Sequence, residues 1–204
     1  MNINGRISLL TIPGLMYRSL IDPMLRTSHA CAAGLIGSGE KVLDVASGSG
    51  ALSFMMSKSA SQITAIDIDG EMIEGAVRMA GKKGISNTSF EVMDATDMAK
   101  IKDGEFDTSV ISMAIHQFSP ETGRKVLGEM MRVSGRLIII DYSFPVKQGI
   151  YKSLTWLIER IAGGEHYRNF MKYMNSGRIM VWLSVLKTAV LQYLVLMINK
   201  SFHY

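Results

Sequence analysis

The chain has 204 residues, of which 48% are hydrophobic and 20% charged, so we expect one sizeable buried core and no long disordered region. Its 22 basic and 18 acidic side chains give a net charge of +4, which is too small and too scattered to indicate a nucleic-acid-binding protein. Cys31 is the single cysteine, which excludes an intrachain disulfide and a cysteine-based metal site and is typical of a cytoplasmic protein.

The N-terminal forty residues do not have the pattern of a signal peptide, because Arg6, Pro13 and Arg18 interrupt their apolar residues. Apolar residues at helical spacing predict a helix over 12–25, and a glycine- and serine-rich hinge follows at 34–39. We therefore expect this part of the chain to be a helical preamble to the main fold.

From residue 41 onward, short apolar runs alternate with segments whose apolar residues recur at helical spacing. This alternation is typical of β-α-β units, in which a parallel sheet is covered by helices on both faces. The predicted fold is thus a doubly wound α/β fold with a mostly parallel sheet. The predicted strands are 41–46, 63–69, 88–94, 106–115 and 136–141; the predicted helices are 51–60, 70–83 and one that begins at Pro120 after an N-cap at Ser119.

A turn of small residues follows the first strand, in Asp44-Val45-Ala46-Ser47-Gly48-Ser49-Gly50. Ligands of such sheets bind at the carboxyl ends of the strands, and small residues let the backbone approach them closely. The phosphate-binding G-x-x-x-x-G-K-[ST] loop is absent from the sequence, and the third glycine of a dinucleotide-binding G-x-G-x-x-G is replaced by Ser53. The acidic pattern D-x-G-x-G-x-G fits better, with Ala46 in place of its first glycine.

Two more acidic residues follow at the next predicted strand ends. Asp67 lies nineteen positions after Gly48, where a carboxylate accepts hydrogen bonds from ribose hydroxyls, and Asp94 lies where one accepts from an adenine amino group. Each of them alone could equally be a helix N-cap. Together with Asp44 they predict a nucleotide-like site at one edge of the sheet.

The strings KVLDVASGSGALS, ITAIDIDGEMIEGA, FEVMDATD and FDTSVISMAIHQF together resemble the class I S-adenosylmethionine-dependent methyltransferases. The resemblance covers about residues 35–145 and is to the small-molecule type related to ubiquinone and menaquinone methyltransferases. It implies a Rossmann-like methyltransferase fold in a single domain. Residues 1–40 would form a helical cap, 41–145 the cofactor-binding core, and 146–204 the substrate lid and the C-terminal end of the sheet.

The resemblance implies that S-adenosylmethionine is the cofactor and S-adenosylhomocysteine the product. Asp44 would orient the turn or meet the ammonium group of the cofactor. The other implied contacts are Ala46, Ser47, Gly48 and Gly50 around the methionine part, Asp67 on the ribose, Ile68 and Met72 around the nucleoside, Asp94 and Ala95 beside the adenine, and Ser112 and Met113 beneath it.

Methyl transfer from a sulfonium depends mainly on holding the nucleophile close and in line, and a general base is needed when the nucleophile is a hydroxyl or an acidic carbon. His116, just past the fourth strand, is the best-placed base, although a histidine there could also cap the next helix or face solvent. Candidate substrate contacts are Asp141 and Tyr142 at the end of the fifth strand, His166 and Tyr167 in a segment resembling one that follows it in relatives, and Tyr17 in the preamble.

The C-terminus departs from the family pattern. The apolar run 179–198 is long enough to cross a bilayer, but Lys187 and Gln192 near its middle favour a buried helix and strand over weak membrane contact. The family closes its sheet with an antiparallel pair of strands, whereas this run supplies only one. The hairpin is therefore incomplete, replaced by helix, or completed by a second copy, and an unpaired edge favours a homodimer or membrane contact.

The sequence thus predicts an enzyme that transfers a methyl group from S-adenosylmethionine to a small, hydrophobic acceptor. Two alternatives remain open: an NAD-type oxidoreductase, and a catalytically silent nucleotide-binding module. We expect no metal, because no cluster of oxygen ligands surrounds Asp141, and no nucleic-acid partner, because basic and aromatic residues are not interleaved.

Overall fold

The computed structural model describes residues 22–142, 168, 169, 171 and 193–199. These residues form one six-stranded sheet with helices packed on it. The strands are β1 Lys41–Val45, β2 Gln62–Asp67, β3 Thr88–Val92, β4 Phe106–Ser112, β5 Ser134–Tyr142 and β6 Tyr193–Asn199. The helices are α1 Asp22–Ala33, α2 Ala51–Met56, α3 Gly70–Lys83 and α4 Pro120–Val133, with a 3₁₀ turn at Ile115–Gln117.

The strands lie in the order β3-β2-β1-β4-β5-β6. The first five are parallel, and β6 pairs with β5 in the antiparallel direction. After β1 the chain crosses over to β2 and then β3 on one side, whereas β4 and β5 lie on the other side of β1. The strand order therefore reverses between β1 and β4, which is where open α/β sheets bind their ligands.

Alternate residues of each central strand face opposite sides of the sheet, as the two-residue period of a strand requires. Val42 and Val110 pack with α1 and α2 in one buried cluster, whereas Leu43 and Ile111 pack with α4 in another. The structure thus confirms the predicted doubly wound α/β fold with helices on both faces.

Helix boundaries follow the capping residues that the sequence indicated. Asp69 caps α3 by accepting hydrogen bonds from the backbone N–H groups of Glu71 and Met72, and Gly84 ends that helix. Ser119 Oγ accepts a hydrogen bond from Thr122 N at 3.1 Å, so α4 starts at Pro120 as predicted.

β1 and β4 end earlier than predicted, because the left-handed residues Ala46 and Met113 turn the backbone away from the sheet. β2 ends at Asp67 instead of residue 69, whereas β5 is longer than predicted and spans Ser134–Tyr142. β1 stops before Ala46, β3 stops two residues before Asp94, and β4 stops at Ser112 instead of residue 115. The α1 helix continues past the predicted limit of residue 25, since helix-forming alanines extend it to Ala33. The predicted helical residues 12–21 lie outside the described part of the chain.

β6 accounts for the last part of the apolar run 179–198, and the remainder of that run lies outside the described residues. β6 pairs with β5 from Arg136 opposite Asn199 to Tyr142 opposite Tyr193. The described residues thus contain one of the two antiparallel strands typical of the family. Among the helices of the described residues, none has the length and apolar character needed to span a membrane.

Candidate functional site

The Ala46–Gly50 turn lies at the carboxyl end of β1, at the point where the strand order reverses. Ala46 and Gly48 have left-handed backbone conformations, with φ of 54° and 52°. A left-handed alanine is uncommon and costs free energy, and such strained residues cluster at ligand-binding sites. At Gly48, a Cβ atom would lie 3.4 Å from Met72 Cε, so the turn packs closely on α3.

Gly50 has a different role in the turn. It is left-handed, with φ of 77°, and a Cβ atom there would lie 2.8 Å from Phe90 Cε1. Phe90 and Phe54 pack edge to face beside it, with their ring centroids 5.8 Å apart. Gly50 therefore faces this aromatic pair, and it does not line either of the two cavities described below.

We predict that Gly50→Ala lowers the free energy of unfolding by about 1.5–3.5 kcal/mol, from a left-handed alanine (about 1–2 kcal/mol) and a disturbed aromatic pair (about 0.5–1.5 kcal/mol). Gly84→Ala is the matched control, because Gly84 is also left-handed but a Cβ there has nothing within 4 Å. Urea unfolding of both variants measures the difference. Equal losses at the two positions would show that the packing of Gly50 contributes nothing.

Asp67, the last residue of β2, holds the turn in place. Its Oδ2 accepts a hydrogen bond from Gly48 N at 2.7 Å, and its Oδ1 accepts one from Asp69 N at 2.9 Å. Burial raises the pKa of Asp67, and these two backbone N–H groups partly oppose the rise. Each carboxylate oxygen retains capacity for a further hydrogen bond, so Asp67 can hold the turn and accept from a ligand at the same time.

Asp44 lies beneath the turn with only 1% of its surface exposed. Its Oδ2 accepts a hydrogen bond from Ser53 Oγ at 2.5 Å. Burial raises the pKa of Asp44 from 3.8 to about 7; the bond from Ser53 opposes the rise and the nearby charge of Asp67 adds to it. Ser53 occupies the third position of the dinucleotide-binding pattern, so a side chain that binds Asp44 replaces the glycine required there.

A cavity of about 370 Å³, here called the outer cavity, opens beside the ends of β2 and β3. Ile68 borders it with 72% of its surface exposed, which is unusual for a large apolar residue and suits contact with a flat apolar ligand. Asp94 is also exposed at this cavity, and its Oδ1 accepts hydrogen bonds from the backbone and side chain of Thr96. The predicted residues that line the outer cavity are Ala46, Asp67, Ile68, Asp94 and Ala95.

A second cavity of about 30 Å³, here called the inner cavity, lies on the other side of Ala46, between α1, β1 and the end of β4. The hydroxyl oxygen of Ser47 is buried there without a hydrogen-bond partner among the described residues. A cavity of this size holds about one small polar group or a methyl group, and not a ring. The predicted residues that line it are Asp44, Ala46, Ser47, Gly48 and Ser112.

His29 also lines the inner cavity, and the sequence reasoning did not identify it. Its Nε2 lies 3.0 Å from Ser112 Oγ, and only 5% of its surface is exposed. Burial lowers the pKa of His29 to about 4, so its imidazole is neutral at pH 7. The available signal was its helical spacing from Leu25 and Ala32, which puts all three residues on the buried face of α1.

His116, the predicted base, is 1% exposed in the 3₁₀ turn after β4. Its Nδ1 lies 2.6 Å from Asp141 Oδ1, and its backbone N–H donates to Asp141 Oδ2 at 3.1 Å. His116 in the 3₁₀ turn thus binds Asp141 on β5, and neither residue lines either cavity. Asn169 Nδ2 donates to the carbonyl of the adjacent Gln117 at 2.9 Å, so a residue from the predicted lid also contacts this turn.

The structure brings most of the predicted cofactor residues together around the two cavities. Met72 contacts the turn from α3, whereas Met113, buried and left-handed with φ of 55°, borders neither cavity. Tyr17, His166, Tyr167 and the side chain of Tyr142 lie outside the described residues. A third groove, of about 660 Å³ between α2 and α3, contains none of the strand-end carboxylates.

Comparison with known proteins agrees with the resemblance seen in the sequence. Residues 42–135 match the family model described as a methyltransferase domain. Over 145 residues the chain is 30% identical to demethylmenaquinone methyltransferase of Clavibacter sepedonicus, which covers 65% of this chain and 58% of the relative. Over 152 residues it is 26% identical to ubiquinone biosynthesis O-methyltransferase of Xanthomonas oryzae pv. oryzae (strain PXO99A), covering 72% and 61%. The chain therefore spans about three fifths of the length of these curated relatives.

A solved SAM-dependent methyltransferase from Aquifex aeolicus has the same fold, with a TM-score of 0.55 and 24% identity over 74% of this chain and 87% of that one. Residues 42–135 thus match a methyltransferase domain in sequence, and the described residues have the fold of a solved SAM-dependent methyltransferase.

Proposed function

We propose that this chain transfers the methyl group of S-adenosylmethionine to a small-molecule acceptor. The observation that carries the proposal is the arrangement of two unequal cavities on either side of Ala46, at the reversal of strand order. The outer cavity is within the usual size range of small-ligand sites, and the inner cavity suits a compact group. An adenosine group with a short sulfonium arm has this division into a large and a small part.

The outer cavity fits the adenosine part of the cofactor. Asp67 offers its remaining acceptor capacity to the ribose hydroxyls, as charge-assisted hydrogen bonds. Ile68 provides an exposed apolar surface for one face of the adenine, and Ala95 lines the same cavity. The carboxylate of Asp94, already oriented by Thr96, is available to an amino group.

The turn and the inner cavity fit the methionine part. The buried hydroxyl of Ser47 gains a polar partner when a charged amino-acid group binds there, which removes the cost of an unsatisfied buried group. The close approach that Gly48 allows lets the ligand lie on the backbone. In its ionised form, Asp44 attracts the positive charge of an ammonium or sulfonium group.

When bound, S-adenosylmethionine supplies an activated methyl group, so the protein mainly needs to hold the acceptor in line with it. The cavities and the strand-end carboxylates supply that positioning. The names of the relatives support a ring-containing acceptor such as a quinol. We propose that His116 and Asp141, through their two hydrogen bonds, fix the position of the turn that follows β4.

The same residues also bear on the two alternative functions. An NAD-type oxidoreductase is disfavoured, because Ser53 replaces the third glycine and binds Asp44. A silent binding module would keep the cavities and lack turnover, and nothing in the site favours it.

For partners, we propose a homodimer through the antiparallel edge at β6 in preference to membrane contact. Sedimentation equilibrium tests this proposal by measuring the molar mass.

Calorimetry with S-adenosylhomocysteine, S-adenosylmethionine and NAD⁺ tests the proposal. We expect both sulfur compounds to bind and NAD⁺ not to bind. Transfer of labelled methyl to a panel of quinols, phenols and thiols then separates an enzyme from a silent module. Binding of NAD⁺ in place of the sulfur compounds would refute the proposal, and binding without transfer to any acceptor would favour the silent module.

A further inference from the structure

We propose that the groove between α2 and α3 is a binding site for a single-chain amphipathic anion of the fatty-acid type. The groove has a volume of about 660 Å³, which is within the usual range of small-ligand sites. It is separate from the two cavities assigned to the cofactor, and none of the strand-end carboxylates lines it. The site therefore does not depend on the proposed function.

Apolar side chains from both helices form the floor of the groove. Phe54 and Met55 contribute from α2, Met79 contributes from α3, and Ile85 follows the end of α3. All four are partly exposed, so part of their apolar surface is open to the groove. Methionine side chains are flexible and adapt their shape to an apolar partner. The floor thus suits a flexible alkyl chain, which gains free energy when it leaves water.

Two exposed lysines, Lys58 after α2 and Lys83 at the end of α3, give the groove a positive rim. No acidic residue is among the residues that line the groove, and neither lysine forms a salt bridge within the described part of the chain. The Lys83 ammonium lies 5.9 Å from the centre of the Phe54 ring, so this cation stands over the apolar floor. An anionic head group on an apolar chain matches both features at once.

The size and charge of the groove disfavour a protein as its occupant. The α2 helix has six residues and is therefore about 9 Å long, whereas the anchors of a docked helix span about seven residues, or about 10 Å. A two-fold contact between copies of this chain would place the same lysines of both copies against each other, where their charges repel. A free amphipathic anion meets neither obstacle.

The groove shares a wall with the inner cavity. Ser49 and Ala51 line both of them, and Gly50 between these residues packs against Phe54. An alkyl chain in the groove would thus contact the back of the turn that follows β1. Because of this shared wall, competition with S-adenosylhomocysteine does not locate the anion, and a residue-specific signal is needed.

NMR titration of the full chain with decanoate, after ¹³C labelling of the methionine methyl groups, tests the site. We expect the signals of Met55 and Met79 to shift, because both side chains line the groove. The signals of Met72 and Met93, beside the turn and the outer cavity, should stay unchanged. Hexanoate should bind at least about 10-fold more weakly, because it lacks four CH₂ groups that are each worth about 4-fold when fully buried.

Charge is tested on both partners. Decyltrimethylammonium has a ten-carbon chain with the opposite charge and should bind about 10-fold more weakly than decanoate, since attraction to two exposed lysines becomes repulsion. The double variant Lys58→Gln with Lys83→Gln should weaken decanoate binding about 5-fold, as expected for two exposed ion pairs. Lys100→Gln with Lys102→Gln is the matched control, because both lysines are exposed and line none of the three sites.

The floor is tested on α3. Met79→Glu places a carboxylate in the groove and should abolish decanoate binding, whereas Val77→Glu adds the same charge to an exposed position of the same helix outside the groove and should leave it unchanged. If Met79→Glu does not fold, as judged by thermal melting, the surface lysine variants carry the test.

Several results would overturn the inference: shifts confined to Met72 and Met93, equal binding of decanoate and decyltrimethylammonium, or an equal loss in the two pairs of lysine variants. Binding to phosphatidylglycerol vesicles without binding of decanoate would assign the groove to a membrane surface instead. Shifts at Met55 and Met79 that depend only on protein concentration would assign it to a second copy. None of these measurements involves S-adenosylmethionine, so they leave the proposed function untouched.

Discussion

Replacing Asp67 by alanine is expected to weaken the binding of S-adenosylhomocysteine by about 1–3 kcal/mol, the range for charge-assisted hydrogen bonds, which is roughly a 5- to 150-fold rise in the dissociation constant. Two losses add together in this variant. The ribose loses its acceptor, and the backbone N–H groups of Gly48 and Asp69 lose the carboxylate that holds the turn. Calorimetry well below the melting temperature measures the change.

Two variants separate these losses. Asp67→Asn keeps one acceptor oxygen for the turn and removes the negative charge, so its affinity should lie between those of the wild type and Asp67→Ala. Asp97→Ala is the control, because Asp97 also accepts a backbone hydrogen bond in a turn but borders neither cavity. An unchanged affinity in Asp67→Ala would remove Asp67 from the binding site.

The second large effect is on the pH dependence of stability, through Asp44. Because burial raises its pKa from 3.8 to about 7, the folded chain keeps a proton between these pH values that the unfolded chain has lost. The stability from this group is therefore fully present below pH 4 and is lost as the pH rises through about 7. The rise converts to about 4 kcal/mol lost across this window.

Asp44→Asn cannot lose a proton, so it should become more stable relative to the wild type as the pH rises from 4 to 8. Urea unfolding across this range measures the difference between the two proteins. Comparing them at each pH cancels the opposite contribution of His29, whose pKa is lowered by burial and which therefore adds stability as the pH rises from 4 to 6.5. Parallel pH profiles for wild type and Asp44→Asn would contradict the assignment.

Much of the fold could be predicted from the sequence, because its signals are local. Helix α3 has the predicted limits, since Asp69 and Gly84 supply its two caps and apolar residues recur at helical spacing between them. The strands were found from their apolar runs. The ends of β1 and β4 were placed too late, because left-handed turns at Ala46 and Met113 leave the sheet while the sequence is still apolar.

The site was predictable in part, because the sequence indicates where strands end but not which distant side chains meet. The acidic residues at the strand ends were found because parallel strands bring their carboxyl ends to one edge of the sheet. Side-chain partners far apart in sequence were not found, such as His29 with Ser112, or Asp44 with the serine that replaces a glycine. The 3₁₀ turn after β4 puts His116 against Asp141, and no periodicity in the sequence indicates that the imidazole points towards this carboxylate.

A crystal structure of the complex with S-adenosylhomocysteine tests the central claim most directly. We expect the adenine in the outer cavity between Ile68 and Ala95, the ribose hydroxyls on Asp67, and the methionine part over the Ala46–Gly50 turn. Density for the ligand in the groove between α2 and α3, or a ribose turned away from Asp67, would contradict the account.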